Sequence, residues 1–324
     1  MRERAKFYRT AGLFYFAFGA LTAPAYGQNR DLPSQEPILR IETEMHTAPI
    51  VRVGVDALCK LMVTGSDDKT TRLWDISDND PNREEPRLLR VFRVPIGPGN
   101  HGKVYAVALS PDGKIVAAGG YNRTGGDHWV YLFDAASGKM LRRLGQLKNV
   151  IYHLTYSPDG RYLAATLGGG QGMRVWDTSN WRLVAQDGDY SNVDSYGAAF
   201  DKNDALFTVA DDGFVRRYGR HFRLEAKSQV TAGRRPFQVA VNPAGDRLAV
   251  AFDGDLGIEL FGAAALQHLG AVNTTGMEGD LSTVAWSPDG KELYAGGKYI
   301  SGGGRPVVIW DNAGEGPRRE ISLG

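Results

Sequence analysis

Histidine and cysteine side chains could carry chemistry in this chain. Imidazole serves as an acid, a base or a metal ligand, and a thiolate serves as a nucleophile. The single cysteine, Cys59, lies at the predicted start of a strand and is expected to be a small, buried apolar side chain. The histidines are scattered, without the spacing of metal-ligand pairs, at positions 46, 101, 128, 153, 221 and 268. Because no serine or cysteine nucleophile motif is present, the sequence predicts a non-catalytic protein without a metal or a cofactor.

A four-residue turn recurs along the chain and divides it into similar units. It has the sequence Ser-Pro-Asp-Gly at residues 110–113, 157–160 and 287–290, and degraded copies occur elsewhere. Proline presets a turn dihedral angle, aspartate can bond its own backbone, and glycine accepts a positive φ. The turns begin at residues 56, 110, 157, 201, 242 and 287. A repeat of this length, with strand patterns on both sides of each turn, predicts a repeated β-unit of four short strands.

The third predicted strand of each unit ends in an aromatic residue, and in three units an aspartate follows. These pairs are Trp74-Asp75, Trp176-Asp177 and Trp310-Asp311. Four strands per unit, a step of about 40–45 residues and Trp-Asp endings resemble the WD40-repeat family, from about Pro37 to the C-terminus. The resemblance implies an all-β fold, namely a β-propeller of four-stranded antiparallel blades. Six blades are predicted in this chain, as a six-bladed ring or as part of a seven-bladed one.

The resemblance also implies a buried hydrogen-bond network in the first blade. His46 lies ten residues before the first turn, where the family has a histidine. With Thr64 or Ser66, Asp68 and Trp74, it can form the structural tetrad of the family. A satisfied polar network of this kind fixes one packing arrangement, so the role of His46 is predicted to be structural. The other five blades lack a histidine at this offset and are expected to hold together mainly by packing.

The first strand of each unit alternates between two kinds of side chain. One set is mostly large and apolar, and the other is small or polar. Since strand side chains point to opposite faces with a period of two, the large set is expected to pack between blades. The small set is then expected to face the narrow central axis. The large set contains Val53/Val55, Val107/Leu109, Leu154/Tyr156, Val239/Val241 and Val284/Trp286.

Residues 1–27 have the organisation of a secretory signal peptide. Four basic residues precede a short apolar run, Leu13–Leu21, and small residues follow at positions 23, 25 and 27. The run is too short for a typical transmembrane span, although an uncleaved anchor is the alternative. Residues 28–36 form a linker, and residues 37–324 are assigned to the propeller. The protein is expected to be bacterial and secreted or periplasmic, without stable membrane insertion after cleavage.

The long loops between second and third strands are expected to share one face with the connections between blades. Loops on a rigid scaffold often carry binding residues, and aromatic and arginine side chains dominate binding hot spots. A protein partner is therefore predicted to dock on this loop face. A net charge of +1 and the export signal argue against a nucleic-acid partner. The predicted contact residues are Tyr121, Arg123, Tyr190, Tyr196, Arg234, Arg235 and Tyr299.

An alternative function follows from three polar side chains of the axis-facing set. Arg52, His153 and Gln238 share one column of the first strands and could converge at the mouth of the central channel. The chain would then be an envelope enzyme with its site at that mouth. A shared fold does not decide between a binding and a catalytic function, because function depends on the site.

The predicted strands do not all find a place in six blades. Six units supply first, second and third strands, but seven candidates exist for the fourth strand, including Pro37–Glu44 and Arg318–Leu323. WD40 rings usually close by pairing an N-terminal fourth strand with the last blade, which here has its own. One hypothesis is that a seventh blade is missing and that the chain resembles the N-terminal region of long exported bacterial WD40 proteins. In some of these a caspase-like domain follows, and the propeller would then be its regulatory module.

Overall fold

The structure is a computed structural model that describes residues 44–77, 86–231 and 234–322. The predicted signal peptide, the linker and all but the last residue of the predicted strand Pro37–Glu44 lie outside the described residues. In the described part, the only helical element is a short 3-10 turn at Asn312–Gly314. No helix in these ranges is long and apolar enough to cross a membrane.

The described residues form six antiparallel sheets of four strands each, which confirms the predicted all-β propeller with six blades. Within each sheet, strands that are consecutive in sequence pair with each other. Blade 1 comprises β1 (Ile50–Val55), β2 (Leu61–Ser66), β3 (Thr71–Asp75) and β4 (Arg87–Phe92). Blade 2 comprises β5 (Lys103–Leu109), β6 (Ile115–Tyr121), β7 (His128–Asp134) and β8 (Met140–Leu147). Blade 3 comprises β9 (Ile151–Tyr156), β10 (Tyr162–Leu167), β11 (Met173–Asp177) and β12 (Arg182–Asp187).

The second half of the propeller repeats the same plan. Blade 4 comprises β13 (Ser195–Phe200), β14 (Leu206–Ala210), β15 (Phe214–Tyr218) and β16 (Leu224–Gln229). Blade 5 comprises β17 (Pro236–Val241), β18 (Arg247–Phe252), β19 (Ile258–Gly262) and β20 (His268–Ala271). Blade 6 comprises β21 (Thr283–Trp286), β22 (Leu293–Gly296), β23 (Val307–Trp310) and β24 (Arg318–Ile321).

The repeated turns close the hairpins between first and second strands, as the sequence predicts. In blade 2 the Ser110 hydroxyl donates to the Asp112 carboxylate at 2.6 Å and accepts a hydrogen bond from the Ile115 amide at 2.9 Å. Gly113 has a φ of 72°, in the left-handed region that glycine adopts without strain. The same serine–aspartate hydrogen bond recurs in blades 3 and 6. The turn thereby fixes the register of the two strands that it joins.

Cys59 lies in the turn between β1 and β2, not at the start of a strand. Its amide donates to the carbonyl oxygen of Asp56 at 3.1 Å, and its thiol is exposed. The expectation that Cys59 is a buried apolar side chain is therefore wrong. The reason is that the strand begins later, at Leu61.

Successive first strands contact each other in the order β1, β5, β9, β13, β17 and β21. In blades 2, 3, 5 and 6, one large apolar residue of each first strand packs between blades, as expected: Val107, Leu154, Val239 and Val284 are at most 3% exposed. Blade 1 departs from this expectation, because Val53 is 51% exposed. Within the described residues, no comparable contact joins β21 back to β1. Among the residues that the structure describes, blades 6 and 1 therefore do not pack against each other as successive blades do.

The four side chains predicted as a tetrad are hydrogen-bonded to each other in blade 1. Trp74 Nε1 lies 2.8 Å from Thr64 Oγ1, His46 Nε2 lies 2.7 Å from the same oxygen, and His46 Nδ1 lies 2.8 Å from Asp68 Oδ2. All hydrogen-bonding groups of the tetrad are satisfied when Trp74 Nε1 donates to Thr64, the Thr64 hydroxyl donates to His46 Nε2, and His46 Nδ1 donates to Asp68. Burial raises the pKa of Asp68, but hydrogen bonds from His46 and Thr70 bring it well below its ordinary value. The tetrad therefore contains a carboxylate that folding holds in its charged form.

Candidate functional site

Four aromatic residues occupy the same position in four successive first strands. They are Tyr105 in β5, Tyr152 in β9, Tyr196 in β13 and Phe237 in β17. Each is the residue that the register skips between the first and second strands, so each lies in a one-residue β-bulge. A bulge leaves its extra residue unpaired and re-aims the side chain out of the regular alternation. We call these four residues the aromatic arc.

The rings of the aromatic arc contact each other from blade 2 to blade 5. The ring centroids of Tyr105 and Tyr152 are 6.2 Å apart and nearly parallel, with an interplanar angle of 11°. Tyr152 and Tyr196 are 4.8 Å apart, and Tyr196 and Phe237 are 5.2 Å apart. All four side chains are partly exposed. Aromatic pairs at these distances attract each other, so the arc is a continuous apolar surface that is accessible to a partner.

Arg52 continues the arc into blade 1. Its guanidinium carbon lies 5.8 Å from the Phe237 ring centroid, a cation–π distance, and its Nη2 is 3.4 Å from the carbonyl oxygen of Tyr152. Arg52 thus reaches from blade 1 to blades 3 and 5 across the central axis. Burial lowers the pKa of Arg52 to about 10, so the side chain keeps its positive charge at neutral pH.

Asp194 ties two rings of the arc to each other and to a loop. The hydroxyls of Tyr152 and Tyr196 donate to Asp194 Oδ2 at 3.1 Å and 3.2 Å, and the Gly169 amide donates to Oδ1 at 2.7 Å. Burial, together with the negative charge of Asp194, raises the pKa of both tyrosines well above the ordinary value. Both hydroxyls therefore stay protonated and remain donors. Gly169 belongs to the glycine-rich loop of blade 3.

Paired charges surround the arc. Arg235 binds Asp211 through two hydrogen bonds, Nε to Oδ1 at 3.2 Å and Nη2 to Oδ2 at 2.9 Å, and lies 3.5 Å from Asp253. At the other end, Lys103 Nζ lies 2.7 Å from Asp67 Oδ2. The Asp211 hydrogen bonds raise the pKa of Arg235. The arc is thus an apolar patch with a polar border, which is the usual organisation of a protein-binding surface.

The predicted contact residues Tyr196 and Arg235 lie in this site, but Arg234 points elsewhere. The guanidinium carbon of Arg234 is 5.0 Å from the Phe252 ring centroid, and Nη1 is 3.5 Å from the buried carboxylate of Glu259. Arg234 therefore packs against blade 5, whereas its neighbour Arg235 is half exposed beside the arc. The two adjacent arginines do not have the same role.

Tyr121 and Arg123 lie at the outer end of the loop face in blade 2. Tyr121 pairs with Lys103 in the register of β5 and β6 and is 40% exposed, and its ring contacts His128 with centroids 5.6 Å apart. Arg123 Nε donates to the Gly126 carbonyl oxygen at 3.1 Å. Both side chains are accessible: Tyr121 is the last residue of β6, and Arg123 lies on the loop between β6 and β7.

Tyr190 is fully buried and is not available to a partner, which corrects the expectation for this residue. Its hydroxyl bonds Thr208 Oγ1 at 2.7 Å and Tyr218 Oη at 2.9 Å, and the Arg216 guanidinium lies 4.0 Å from its ring centroid. In the register of blade 4, Thr208 occupies the position that Thr64 has in blade 1, and Tyr218 occupies the position of Trp74. Tyr190 therefore takes the place of the tetrad histidine, and blade 4 has a polar network of its own.

Tyr299 is also buried and is corrected in the same way. It belongs to the apolar cluster between blades 5 and 6, and its hydroxyl donates to Glu320 at 2.7 Å. The hydroxyl holds the loop between β22 and β23 to the outer strand β24. Tyr299 is therefore a structural residue of blade 6.

Sequence reasoning missed three members of the arc: Tyr105, Tyr152 and Phe237. The signal that could have found them is an aromatic residue at the equivalent position near the start of four consecutive first strands. A strict period of two hides this signal, because it assigns every residue of a strand to one of two faces. The side chain of a bulged residue points in a third direction, because the extra residue interrupts the alternation.

The polar residues of the alternative site bind the backbones of other blades. The Ala198 amide of blade 4 donates to His153 Nδ1 at 2.9 Å, and Gln238 Nε2 donates to the Val284 carbonyl oxygen of blade 6 at 3.4 Å. Burial, with the charge of Arg52, lowers the pKa of His153 well below its ordinary value. His153 lines two cavities of the channel, of about 370 and 590 Å³, and Gln238 lines the larger. In this geometry the three residues connect blades.

Metal-ligating groups do not cluster in the described part of the chain. No set of three or more histidine, cysteine, aspartate or glutamate side chains is close enough there to hold a metal ion. The residues of the aromatic arc and its border are suited to contacts with rings, aliphatic groups and charged groups.

Comparison with known proteins agrees with the blade geometry. Residues 39–75, 89–134 and 138–177 match the family described as WD domain, G-beta repeat. These three stretches are therefore similar in sequence to WD40 repeats. The first of these matches contains the tetrad histidine and Trp74, and the other two cover most of blades 2 and 3.

Curated proteins that are similar to parts of the chain include three from plants. The chain is 30% identical over 146 residues to small ribosomal subunit protein RACK1y of Oryza sativa subsp. japonica, which is 44% of this chain and 37% of that protein. It is 29% identical over 156 residues to a guanine nucleotide-binding protein subunit beta of Oryza sativa subsp. indica, with 45% and 36% covered. It is 28% identical over 125 residues to WD repeat-containing protein VIP3 of Arabidopsis thaliana, with 39% and 34% covered. The chain thus spans little more than a third of the length of these relatives.

Proposed function

We propose that this WD40 propeller is a non-catalytic scaffold that binds a protein partner on its loop face. The aromatic arc is the observation that carries this proposal. Four partly exposed rings on four different blades form one apolar surface, and paired charges lie around it. Aromatic and arginine side chains contribute most of the binding energy in many protein interfaces.

The contact residues of the proposal are those that the loop face exposes. They are Tyr105, Tyr152, Tyr196 and Phe237 of the arc, with Arg235 beside it and Tyr121 and Arg123 at the outer end. By their names, the similar small ribosomal subunit protein RACK1y and guanine nucleotide-binding protein subunit beta are each a component of a larger assembly, which supports a binding function here. The axis-facing polar residues support it as well, because His153 and Gln238 are engaged with backbone groups of neighbouring blades.

Site-specific photocrosslinking tests the location of the interface. A photoreactive phenylalanine at position 196 should crosslink one partner in cells, whereas the same group at Val184 on the outer strand β12 should not. Val184 is exposed and lies on blade 3, away from the loop face, so it is a matched control. Equal crosslinking at both positions, or none at position 196, would place the interface elsewhere.

The affinity for the purified partner then tests whether the rings of the aromatic arc contribute to binding. Tyr196→Ala removes a ring that contacts two neighbours in the arc and should weaken binding by about tenfold or more. Arg182→Ala, at an exposed arginine on β12, should leave the affinity unchanged. A Tyr196→Ala protein that is folded and binds as tightly as the wild type would contradict the proposal.

We also propose that the mature protein is exported and begins within a few residues of position 27. The basic start, the short apolar run and the small residues that follow it support this location. N-terminal sequencing of the protein from its source cells tests it. A mature chain that begins after Ala25 or Gly27 and is found outside the inner membrane is the expected result, and a cytoplasmic chain that retains residues 1–27 would contradict it.

A further inference from the structure

Arg52 places a positive charge at the centre of the aromatic arc. It follows the register shift of β1, and its side chain crosses the central axis to the backbone of Tyr152 and the ring of Phe237. Within the described residues these are the contacts of its guanidinium group, and neither of them is with a carboxylate. Its Nε is buried there without a hydrogen-bond partner. The five N–H groups of this guanidinium therefore share a single acceptor, the Tyr152 carbonyl oxygen at 3.4 Å.

Other basic side chains around the loop face have carboxylate partners. Five of them lie within 3.5 Å of a carboxylate oxygen. A charge that is taken out of water without a counter-ion raises the free energy of the folded protein. Arg52 is half-buried, and no carboxylate of the described chain compensates its charge. The paired side chains are Lys103 with Asp67, Lys148 with Asp127, Arg234 with Glu259, Arg235 with Asp211, and Lys298 with Asp280.

The neighbouring polar residue in the axis-facing column is also a hydrogen-bond donor. Burial, and in addition the charge of Arg52, lowers the pKa of His153, so the imidazole is neutral. Its Nδ1 accepts the amide of Ala198, and the proton of the neutral ring is therefore on Nε2. This N–H has no acceptor among the residues that the structure describes. A guanidinium and an imidazole N–H thus belong to one column, and a negatively charged acceptor fits both.

We propose that Arg52 binds a carboxylate side chain of the protein partner, an aspartate or glutamate that enters the mouth of the central channel beside the aromatic arc. This inference rests on the proposed function and adds the chemistry of the partner. A planar guanidinium can bind a carboxylate through two parallel hydrogen bonds, which gives both strength and orientation. The residues that flank the acidic residue are expected to be apolar, because the rings around Arg52 are partly exposed.

The charges close to the arc favour a carboxylate over a phosphate group. Asp194 accepts the hydroxyl of Tyr196, and Asp211 also raises the pKa of that tyrosine through its negative charge. Both carboxylates repel an incoming anion, and the repulsion is larger for a doubly charged phosphate than for a singly charged carboxylate. A single acidic side chain therefore fits the site better than a phosphorylated one.

Two small probes test the carboxylate site without a partner and without a substitution. Propionate and its neutral isostere propionamide are titrated into the isotopically labelled protein at constant ionic strength, and the Nε–H resonance of Arg52 is followed by NMR. The resonance is assigned by its loss in Arg52→Lys. Propionate should shift it saturably, and propionamide should bind at least about tenfold more weakly. Equal responses to the two probes, or no saturable response to propionate, would overturn the proposal.

The partner that crosslinks at position 196 tests the same contact in the complex. Arg52→Gln, which removes the charge but keeps a polar side chain, should weaken the affinity by about tenfold or more. Arg182→Gln, at an exposed arginine on β12, should leave it unchanged. Replacement of one acidic residue of the partner by its amide should cause a similar loss with the wild type and none with Arg52→Gln.

The complex also separates this inference from the proposed function. If Tyr196→Ala weakens binding and a folded Arg52→Gln protein binds as tightly as the wild type, the carboxylate contact is wrong and the loop face is still the interface. If neither substitution changes the affinity, both the carboxylate contact and the proposed interface are wrong.

Discussion

Tyr152 of blade 3 donates a hydrogen bond to Asp194, in the connection that enters blade 4, at 3.1 Å between Oη and Oδ2. The same carboxylate accepts the hydroxyl of Tyr196 and the amide of Gly169. A single side chain thus orders two rings of the aromatic arc and the glycine-rich loop beside them. Because ordered side chains lose less entropy on association, the arc is prepared for binding before a partner arrives.

Replacement of Asp194 by alanine is expected to weaken partner binding although Asp194 need not touch the partner. The two hydroxyls would lose their acceptor, and the rings would be free to take other rotamers. The free energy of unfolding should fall by about 1–3 kcal/mol, and the affinity for the partner should fall by several-fold. Urea unfolding and a binding titration measure the two effects. Asp189→Ala, at an exposed aspartate five residues away, should change neither, and an unaltered affinity in folded Asp194→Ala would contradict the role of the carboxylate.

Tyr190→Phe is expected to destabilise the protein without weakening the binding of the partner. The substitution keeps the buried ring and its contact with Arg216 but removes the hydroxyl that bonds Thr208 and Tyr218. Loss of this hydroxyl should lower the free energy of unfolding by about 1–2 kcal/mol. Denaturant unfolding and the partner affinity of the same preparation check this. A variant with wild-type stability and reduced affinity would show that Tyr190 belongs to the interface after all.

The sequence predicted the fold more completely than the site, because turns and strand endings are local signals. The Ser-Pro-Asp-Gly turns and the Trp-Asp endings fix the register of a hairpin within a few residues, so the six blades could be counted. The arc depends on bulges, and a bulge is visible only when two strands are paired. The position of Tyr190 in a loop predicts a contact residue, but its side chain is buried and its hydroxyl reaches the place that a histidine has in the tetrad. Exposure of Val53 depends on which sheets are present and cannot be inferred from the alternation of one strand.

Asp68→Asn is expected to remove a pH-dependent part of the stability of blade 1. The pKa of Asp68 is depressed in the folded protein, so its contribution is present above the pKa of the unfolded chain, near 4, and is lost as the pH falls through the folded value. At pH 7 the free energy of unfolding of the variant should be about 1–3 kcal/mol lower than that of the wild type, because the buried His46 loses its charged acceptor. This difference should shrink steadily below about pH 4. Urea unfolding at a series of pH values measures it, and a constant difference from pH 7 to pH 2 would rule out a depressed pKa.

His153→Gln is expected to reduce the acid sensitivity of the propeller between about pH 7 and pH 5. His153 is buried, its Nδ1 accepts the Ala198 amide, and its pKa lies well below the ordinary value, so the folded protein holds it neutral. The unfolded chain takes up this proton near pH 6.5, and stability is therefore lost as the pH falls below that value, by up to about 1.4 kcal/mol per pH unit. Glutamine can accept the same amide through Oε1 but does not titrate. The two proteins are compared by urea unfolding at pH 7, 6 and 5. A parallel loss of stability in both would show that the acid sensitivity arises elsewhere, and a smaller loss in His153→Gln would establish His153 as a neutral link between blades 3 and 4.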